Sequence, residues 1–429
     1  MSTFLLQSLH LSNFRGFESL DVTFDPQLTV FFAENGGGKT SVLAASAIAL
    51  GLLQRGAPSA AKLLVDRDLR NVVVPRAAAA GAEGQQALFL DSREPGGSCS
   101  VRCTAMIGGV LVEWQEQVSE AGRKSVSVRE ASAAMDRLRV PSAMWPILSS
   151  YGTARLARAT KAGRPRRGTR DRWDAYQDSL DPAATDGPLL EWLKAQTLAD
   201  VQRSRKGDRE SKWAEMVFAA QMRAAPTIQE MEYDVAEDTV VVRFRDGSMA
   251  SWEELSDGYH VYLGLVGDIA RRAMLLNEHA AANAIEETPG VVLIDEIDLH
   301  LHPRWQRMAL SGLRAAFPAM QFVVTTHSPQ VLSSAKNEQV RLLRDGKVIE
   351  GLNVEGRDTN SILRELMGTD ERDAEGVKTL RALYEAIDNG ELELARRQVE
   401  VLRRRWGPLD PEFIRAEGLV QDAEEERRS

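Results

Sequence analysis

The chain has 429 residues, a net charge of −9, and is 43% hydrophobic and 27% charged. That composition can bury the cores of two or three domains, or of one large domain with an insertion, and excludes a globally disordered chain. No apolar run approaches the roughly 20 residues needed to span a bilayer, the N-terminus lacks a signal-peptide pattern, and two cysteines, Cys99 and Cys103, cannot build a disulfide framework or a four-cysteine zinc site. The expectation is a cytoplasmic protein without a membrane partner.

In chain order, FLLQSLHL (4–11) and LDVTFD (20–25) alternate and read as strands. LTVFF (28–32) is continuously apolar, which suits a strand buried on both faces. It runs into AENGGGKTS and then an Ala/Leu-rich helix, about 39–54. Strand, glycine-rich loop, helix is the setting of a phosphate-binding loop, because backbone N–H groups at a helix N-terminus cradle phosphate oxygens. Gly38, Lys39 and Thr40 match the end of G-x-x-x-x-G-K-[ST], with Ala33 where the first glycine is expected. The expected ATP contacts are Asn35, Gly36, Gly37, Gly38, Lys39, Thr40 and Ser41. Lys39 adds charge at the β and γ phosphates, and the Thr40 hydroxyl can ligate Mg²⁺.

Between about 60 and 150, ALFLDS, CSVRCTAMI, GVLVEWQEQV and KSVSVRE read as antiparallel strands with glycine turns, and MWPILSSYG as another apolar strand. The run 155–172 carries eight basic residues and one acid, Asp171. It reads as a loop. Arg164, Arg166 and Arg167 are candidates to contact a nucleic-acid backbone, the alternative being a solvated loop that offsets acidic neighbours. Residues 172–224 read as helices carrying Trp173, Trp192 and Trp213, followed by the strand DTVVVRFRDGS.

From 251 the pattern turns α/β. In LSDGY (255–259), Ser256 and the N–H groups around Gly258 begin a helix and form a second anion site. VVLIDEID (291–298) places Asp295 and Glu296 at the C-terminal end of a buried strand, where α/β sheets bind ligands. Asp295 is the candidate Mg²⁺ carboxylate and Glu296 the general base. His327 ends the strand QFVVTT, after a helix over 303–316. The tail, 372–429, is helical. Leu383 and Ile387, then Leu392, Ala395, Val399, Leu402 and Trp406, form a stripe that must be buried, on its own head or on a partner.

The order of phosphate loop, LSDGY, Asp–Glu strand and His327 resembles an ABC-type ATPase head. LSDGY is similar to its LSGGQ signature, with Asp257 for a Gly and Tyr259 for the Gln. The resemblance implies that Ser256, Asp257 and Gly258 close over the nucleotide of another subunit, and that His327 is the switch histidine at the γ-phosphate. LHLSNFRGFESLDVTF and LTVFFAENGGGKTSVL are similar to the RecF, SMC and OLD group of DNA-associated ATPases, which adds Arg15 as an ATP contact. DEIDLHLHPRWQ and FVVTTHSPQVL resemble the OLD-like subset; an SMC head usually carries Asp at the place of His302. YGTARL (151–156) and GRDTNSILRELMG (356–368) resemble PtuA, the ATPase of the Septu anti-phage system, which also occurs with some retrons.

The implied fold is an α/β ABC-type ATPase head, a P-loop NTPase, with an antiparallel β subdomain, a helical insertion and a helical C-terminal tail. The expected segments are 1–150 and 251–371 for the two ATPase lobes, 151–250 for the basic loop and insertion, and 372–429 for the tail. The implied activity is Mg²⁺-dependent ATP hydrolysis at a homodimer or higher oligomer interface, serving as sensor and regulator of an anti-phage complex. The implied partners are an HNH-type effector nuclease and, in retron forms, a reverse transcriptase with its RNA–DNA hybrid. No Asp-x-Asp follows residue 327, so the metal nuclease that OLD proteins carry there is not expected. The rival readings are a RecF-like DNA-repair ATPase and an ATP-clamped scaffold with negligible turnover.

Overall fold

In the computed structural model, Leu28–Phe32, Met320–Thr326, Gly290–Ile294 and Ile147–Tyr151 are buried at every position. Their sequences do not alternate apolar with polar residues. A strand covered on both faces has no reason to alternate. They pair in parallel, and Val340–Arg344 joins on the far side of Leu28–Phe32. Lys347–Ile349 closes that edge as an antiparallel hairpin strand. The resulting order places Met320–Thr326 between the phosphate-loop strand and the Asp–Glu strand. Three consecutive strand ends therefore meet at one edge of the sheet.

The structure describes residues 4–54, 64–65, 68–74, 92–95, 97–156, 172–181, 187–208, 211–368 and 373–428. Arg164, Arg166, Arg167 and most of ALFLDS lie outside the described residues. The chain divides into two units, Met1–Arg357 and Asp358–Ser429.

In the first unit a second, antiparallel sheet runs in the order Phe17–Thr23, Phe4–Phe14, Cys99–Ile107, Val110–Val118, Lys124–Ser127. Cys99 and Cys103 are buried free thiols on it, and burial pushes the Cys99 thiol up to about 12. The helix Lys39–Leu53 touches strands of both sheets and is buried along nearly its whole length. Its Ala/Leu composition follows, since a helix covered all round is apolar all round. Two buried polar side chains tie the layers. Trp114 Nε1 donates to the Ala49 carbonyl at 2.9 Å. Gln321 accepts from Leu6 N at 2.8 Å and donates to the carbonyls of Leu6 and Asp25 at 3.0 and 2.8 Å. A register shift between Leu6 and Ser8 frees that backbone for it.

The helix Asp257–Leu276 packs with Trp213–Ala224 and Gly187–Lys206, and Pro303–Ala316 packs on Trp213–Ala224. A three-stranded sheet, Ile228–Asp234, Thr239–Phe244 and Met249–Ser251, adjoins them. The strand Ile228–Asp234 and the helix Arg129–Leu138 are not anticipated from sequence; IQEMEYD has too few apolar positions to show a period. Among the described residues no helix is long and apolar enough to cross a membrane.

The second unit contains Thr359–Glu365, Ala374–Asp388, Leu392–Trp406 and Pro411–Arg428. Leu383, Ala386, Ala395, Val399, Leu402, Phe413, Ala416 and Val420 form one core, with Leu380, Ile387 and Trp406 packed against it. Six of the seven stripe residues are thus covered inside their own unit, where the last helix supplies Phe413, Ala416 and Val420 at matching helical spacing; Leu392 is half-buried and outside this cluster. Leu402→Ala is expected to weaken this unit by about 2–5 kcal/mol, read as faster hydrogen exchange at the amides of its three long helices.

Candidate functional site

The phosphate loop departs from the end of Leu28–Phe32 and enters the helix at Lys39. Gly36 and Gly38 take φ of 82° and 92°, which a side chain would strain. A Cβ at Gly37 would lie 2.6 Å from the Ala33 methyl. Ala33 is therefore accommodated where a glycine is usual, because the residue facing it is a glycine. The Phe17 ring covers Gly38. Arg15, two residues before Phe17, is held by Asp68, with Nε and Nη2 donating to Oδ1 at 2.9 and 2.7 Å.

Lys39 Nζ spans the loop, donating to the carbonyls of Ala33 at 2.9 Å and Glu34 at 3.3 Å. Burial lowers the pKa of its ammonium, and the carboxylates of Asp295, Glu296 and Asp298 oppose that shift. One cation thus faces three acids.

The middle strand organises the acids. Asp295 accepts from the Thr40 hydroxyl on Oδ2 at 3.0 Å and from the Thr325 hydroxyl on Oδ1 at 2.6 Å. The Thr325 hydroxyl also accepts the Glu296 N–H at 2.8 Å, and its carbonyl accepts Ile297 N at 3.0 Å. Glu296 takes φ of 49°, a left-handed conformation that a non-glycine residue adopts only when its surroundings dictate it. Next along, Asp298 Oδ1 accepts from the Thr326 hydroxyl at 2.5 Å and from His327 N at 3.4 Å. Lys39, Thr40, Asp295, Glu296 and His327 therefore form one connected cluster. Thr325, Thr326 and Asp298 connect it and were missed in the sequence. The available signal was two threonines directly before the strand-end histidine and a third acid in DEID.

Ser256, Asp257 and Gly258 make a different contact. Ser256 stands at the N-cap position of the helix Asp257–Leu276, its side chain making no capping bond. A Cβ at Gly258 would lie 2.7 Å from the His300 carbonyl oxygen, so the helix start rests directly on the turn after the acids. Tyr259 packs edge-on against Phe244 and Trp305, at 5.1 and 4.5 Å between centroids. His302 caps the helix Pro303–Ala316, its Nδ1 accepting from Arg304 N at 3.3 Å. A neutral histidine can thus do the capping work of an aspartate at this place.

Arg172, counted in the basic run 155–172 that reads as a loop, is taken up by the fold instead. Its guanidinium donates to the carbonyls of Leu276, Pro141 (3.1 Å) and Ala143 (2.8 Å) and to Asn277 Oδ1 (2.9 Å). It also sits 4.3 Å from the Trp145 ring. It closes the C-terminal end of the signature-like helix, where cations are favoured.

The donor set suits Mg²⁺–nucleotide. Thr40 Oγ1 and Asp295 Oδ2 are hard oxygens already 3.0 Å apart, at the N-terminus of the helix that the glycine-rich loop enters.

Residues 8–76 match a family model described as "AAA domain", and residues 236–333 one described as "AAA domain, putative AbiEii toxin, Type IV TA system". The chain is similar to the retron Ec83 probable ATPase of Escherichia coli, 37% identical over 166 residues, which is 38% of this chain and 30% of that protein. It is 44% identical over 101 residues to the retron Vc95 probable ATPase of Vibrio cholerae, covering 24% of this chain and 19% of the relative. It is 39% identical over 120 residues to the Septu protein PtuA of Bacillus mycoides, covering 25% and 16%. The chain thus spans less than a third of the length of these curated relatives.

Thr325→Val keeps the side-chain shape and removes both hydroxyl bonds, leaving the Glu296 N–H without that acceptor. A loss of about 1–3 kcal/mol is expected in urea unfolding, with Thr325→Ser close to wild type.

Proposed function

We propose, taking the chain as an ABC-type ATPase head of the RecF and SMC group related to PtuA and the retron ATPases, that it binds and hydrolyses ATP in a site completed by a second copy of itself. In this reading it is the sensor and regulator of an anti-phage defence complex. The observation that carries the reading is the bridge from Thr40 through Asp295 to Thr325, which joins the phosphate loop to the acid that precedes the general base.

The backbone of 36–41 and Lys39 hold the phosphates. Thr40 and Asp295 would hold Mg²⁺, which when bound offsets phosphate charge. Glu296 accepts the proton of the attacking water, its carboxylate aimed by the left-handed backbone that Thr325 pins. Asp298 accepts the His327 backbone N–H, and the His327 ring would act at the terminal phosphate. Ser256 and the first N–H groups of Asp257–Leu276 act on the nucleotide of the second copy, as helix N-termini do on anions.

The effector is an HNH-type nuclease on a separate chain, joined in retron forms by a reverse transcriptase and its RNA–DNA hybrid; the names of the retron and Septu relatives support the defence setting. Arg164, Arg166 and Arg167 contact nucleic-acid phosphates. The same relatives favour this reading over a RecF-like repair ATPase, and measurable turnover separates it from an ATP-clamped scaffold.

Complementation tests the composite site. Lys39→Ala should weaken ATP binding roughly ten- to a hundredfold, the worth of a charge-assisted contact, and Ser256→Arg should bind ATP but not turn over. Mixed, the two should regain about a quarter of wild-type turnover, since half the dimers then hold one intact site. No recovery contradicts a shared site. Gly258→Asp is the poorer variant, because its Cβ strikes His300 within the same chain.

A further inference from the structure

A buried polar cluster that takes no part in the roles above runs from the signature helix to the magnesium carboxylate. Tyr151 ends the edge strand Ile147–Tyr151, and its carbonyl accepts Asp295 N–H at 2.8 Å. Its phenol donates to Asp268 Oδ2 at 2.8 Å. Asp268 lies within Asp257–Leu276, the helix that Ser256 begins. Arg271 Nε and Arg272 Nε donate to Asp268 at 3.0 and 2.7 Å. Arg272 Nη1 continues to the carbonyls of Ala175 at 2.5 Å and Gln177 at 3.0 Å, in the segment that follows the basic run.

Tyr151, Asp268 and Arg272 are 5%, 7% and 4% exposed. Burial disfavours an ionised Asp268, but Arg272 and Arg271 outweigh it and hold the carboxyl well below its usual range. Burial, helped by the Asp268 charge, pushes the Tyr151 phenol up, so it stays a donor. One carboxylate and two guanidiniums in a protein interior carry a desolvation cost that apolar packing would avoid. The cluster stands where the signature helix meets the sheet edge next to Asp295.

We propose that Tyr151 is a positioning residue for Asp295, and that Asp268, gripped by Arg271 and Arg272, fixes Tyr151 to the signature helix. A displacement of that helix is carried by the phenol to the strand end, and by the backbone hydrogen bond to the magnesium carboxylate. The contact of Gly258 with His300 is a second link between the same two elements. The proposal rests on the Mg²⁺–ATP reading of the site and adds what sets its metal carboxylate in place.

Tyr151→Phe keeps the ring and removes the bond to Asp268. Manganese affinity in the presence of ADP, followed by electron paramagnetic resonance, should fall about tenfold, the usual effect of losing a group that supports a metal ligand. The kcat for ATP should fall with it, while KM stays within about twofold. Tyr176→Phe is the structural control: that phenol is equally buried but donates to the Pro146 carbonyl, at 2.6 Å. It should lower stability without moving manganese affinity. Unchanged manganese affinity in Tyr151→Phe, or equal losses in both variants, overturns the proposal. If the wild type hydrolyses no ATP, the ATPase reading falls, and the manganese affinities still decide the role of Tyr151.

Discussion

The carboxylate of Asp295 accepts one hydroxyl from each neighbouring element, Thr40 from the phosphate-loop helix and Thr325 from the middle strand. The rest of the site is arranged around that pair of bonds. They exist only because Met320–Thr326 lies between the other two strands, so that three strand ends open on the same point. Thr325 then sets the backbone of Glu296, and Thr326 sets Asp298, which reaches the His327 amide. Two adjacent threonines thereby tie Asp295, Glu296 and Asp298 to the strand end that His327 follows.

Electrostatics explains why such a cluster favours a ligand. The charges of Asp295, Glu296 and Asp298 all act on the buried ammonium of Lys39. Their mutual repulsion leaves an excess of negative charge that a divalent cation relieves. In the proposed reading, the phosphates of a nucleotide would meet Lys39 and the backbone N–H groups of the helix N-terminus. Cation and nucleotide are therefore expected to bind together far better than either alone. The strain of Glu296 at positive φ is held by its bonded surroundings, as strained residues at reactive sites commonly are.

The candidate residues that the fold gathers at one sheet edge were legible because they sit in short, local patterns. The glycine-rich loop follows its strand directly, and Asp295, Glu296 and His327 end apolar runs. What joins them was not legible. Thr325 bonds across strands that lie far apart in sequence, and Tyr151 meets Asp268 across 117 positions. Nothing in a linear pattern marks such a pair. Arg172 shows the converse error: counted among free positive charges, it is taken up by carbonyls at a helix end. Leu383, Ala395, Val399 and Leu402 of the tail stripe are buried, as read, and their cover lies in the last helix. The charged ending hid the spacing of Phe413, Ala416 and Val420.

The central claim is that ATP, held by this cluster, joins two copies of the chain. Glu296→Gln tests it most directly, because the amide cannot accept the water's proton while every phosphate contact is retained. Sedimentation velocity with Mg²⁺–ATP should show the variant accumulating as a dimer that persists, with turnover nearly abolished. A variant that stays monomeric at saturating ATP, or that hydrolyses at the wild-type rate, would contradict the account.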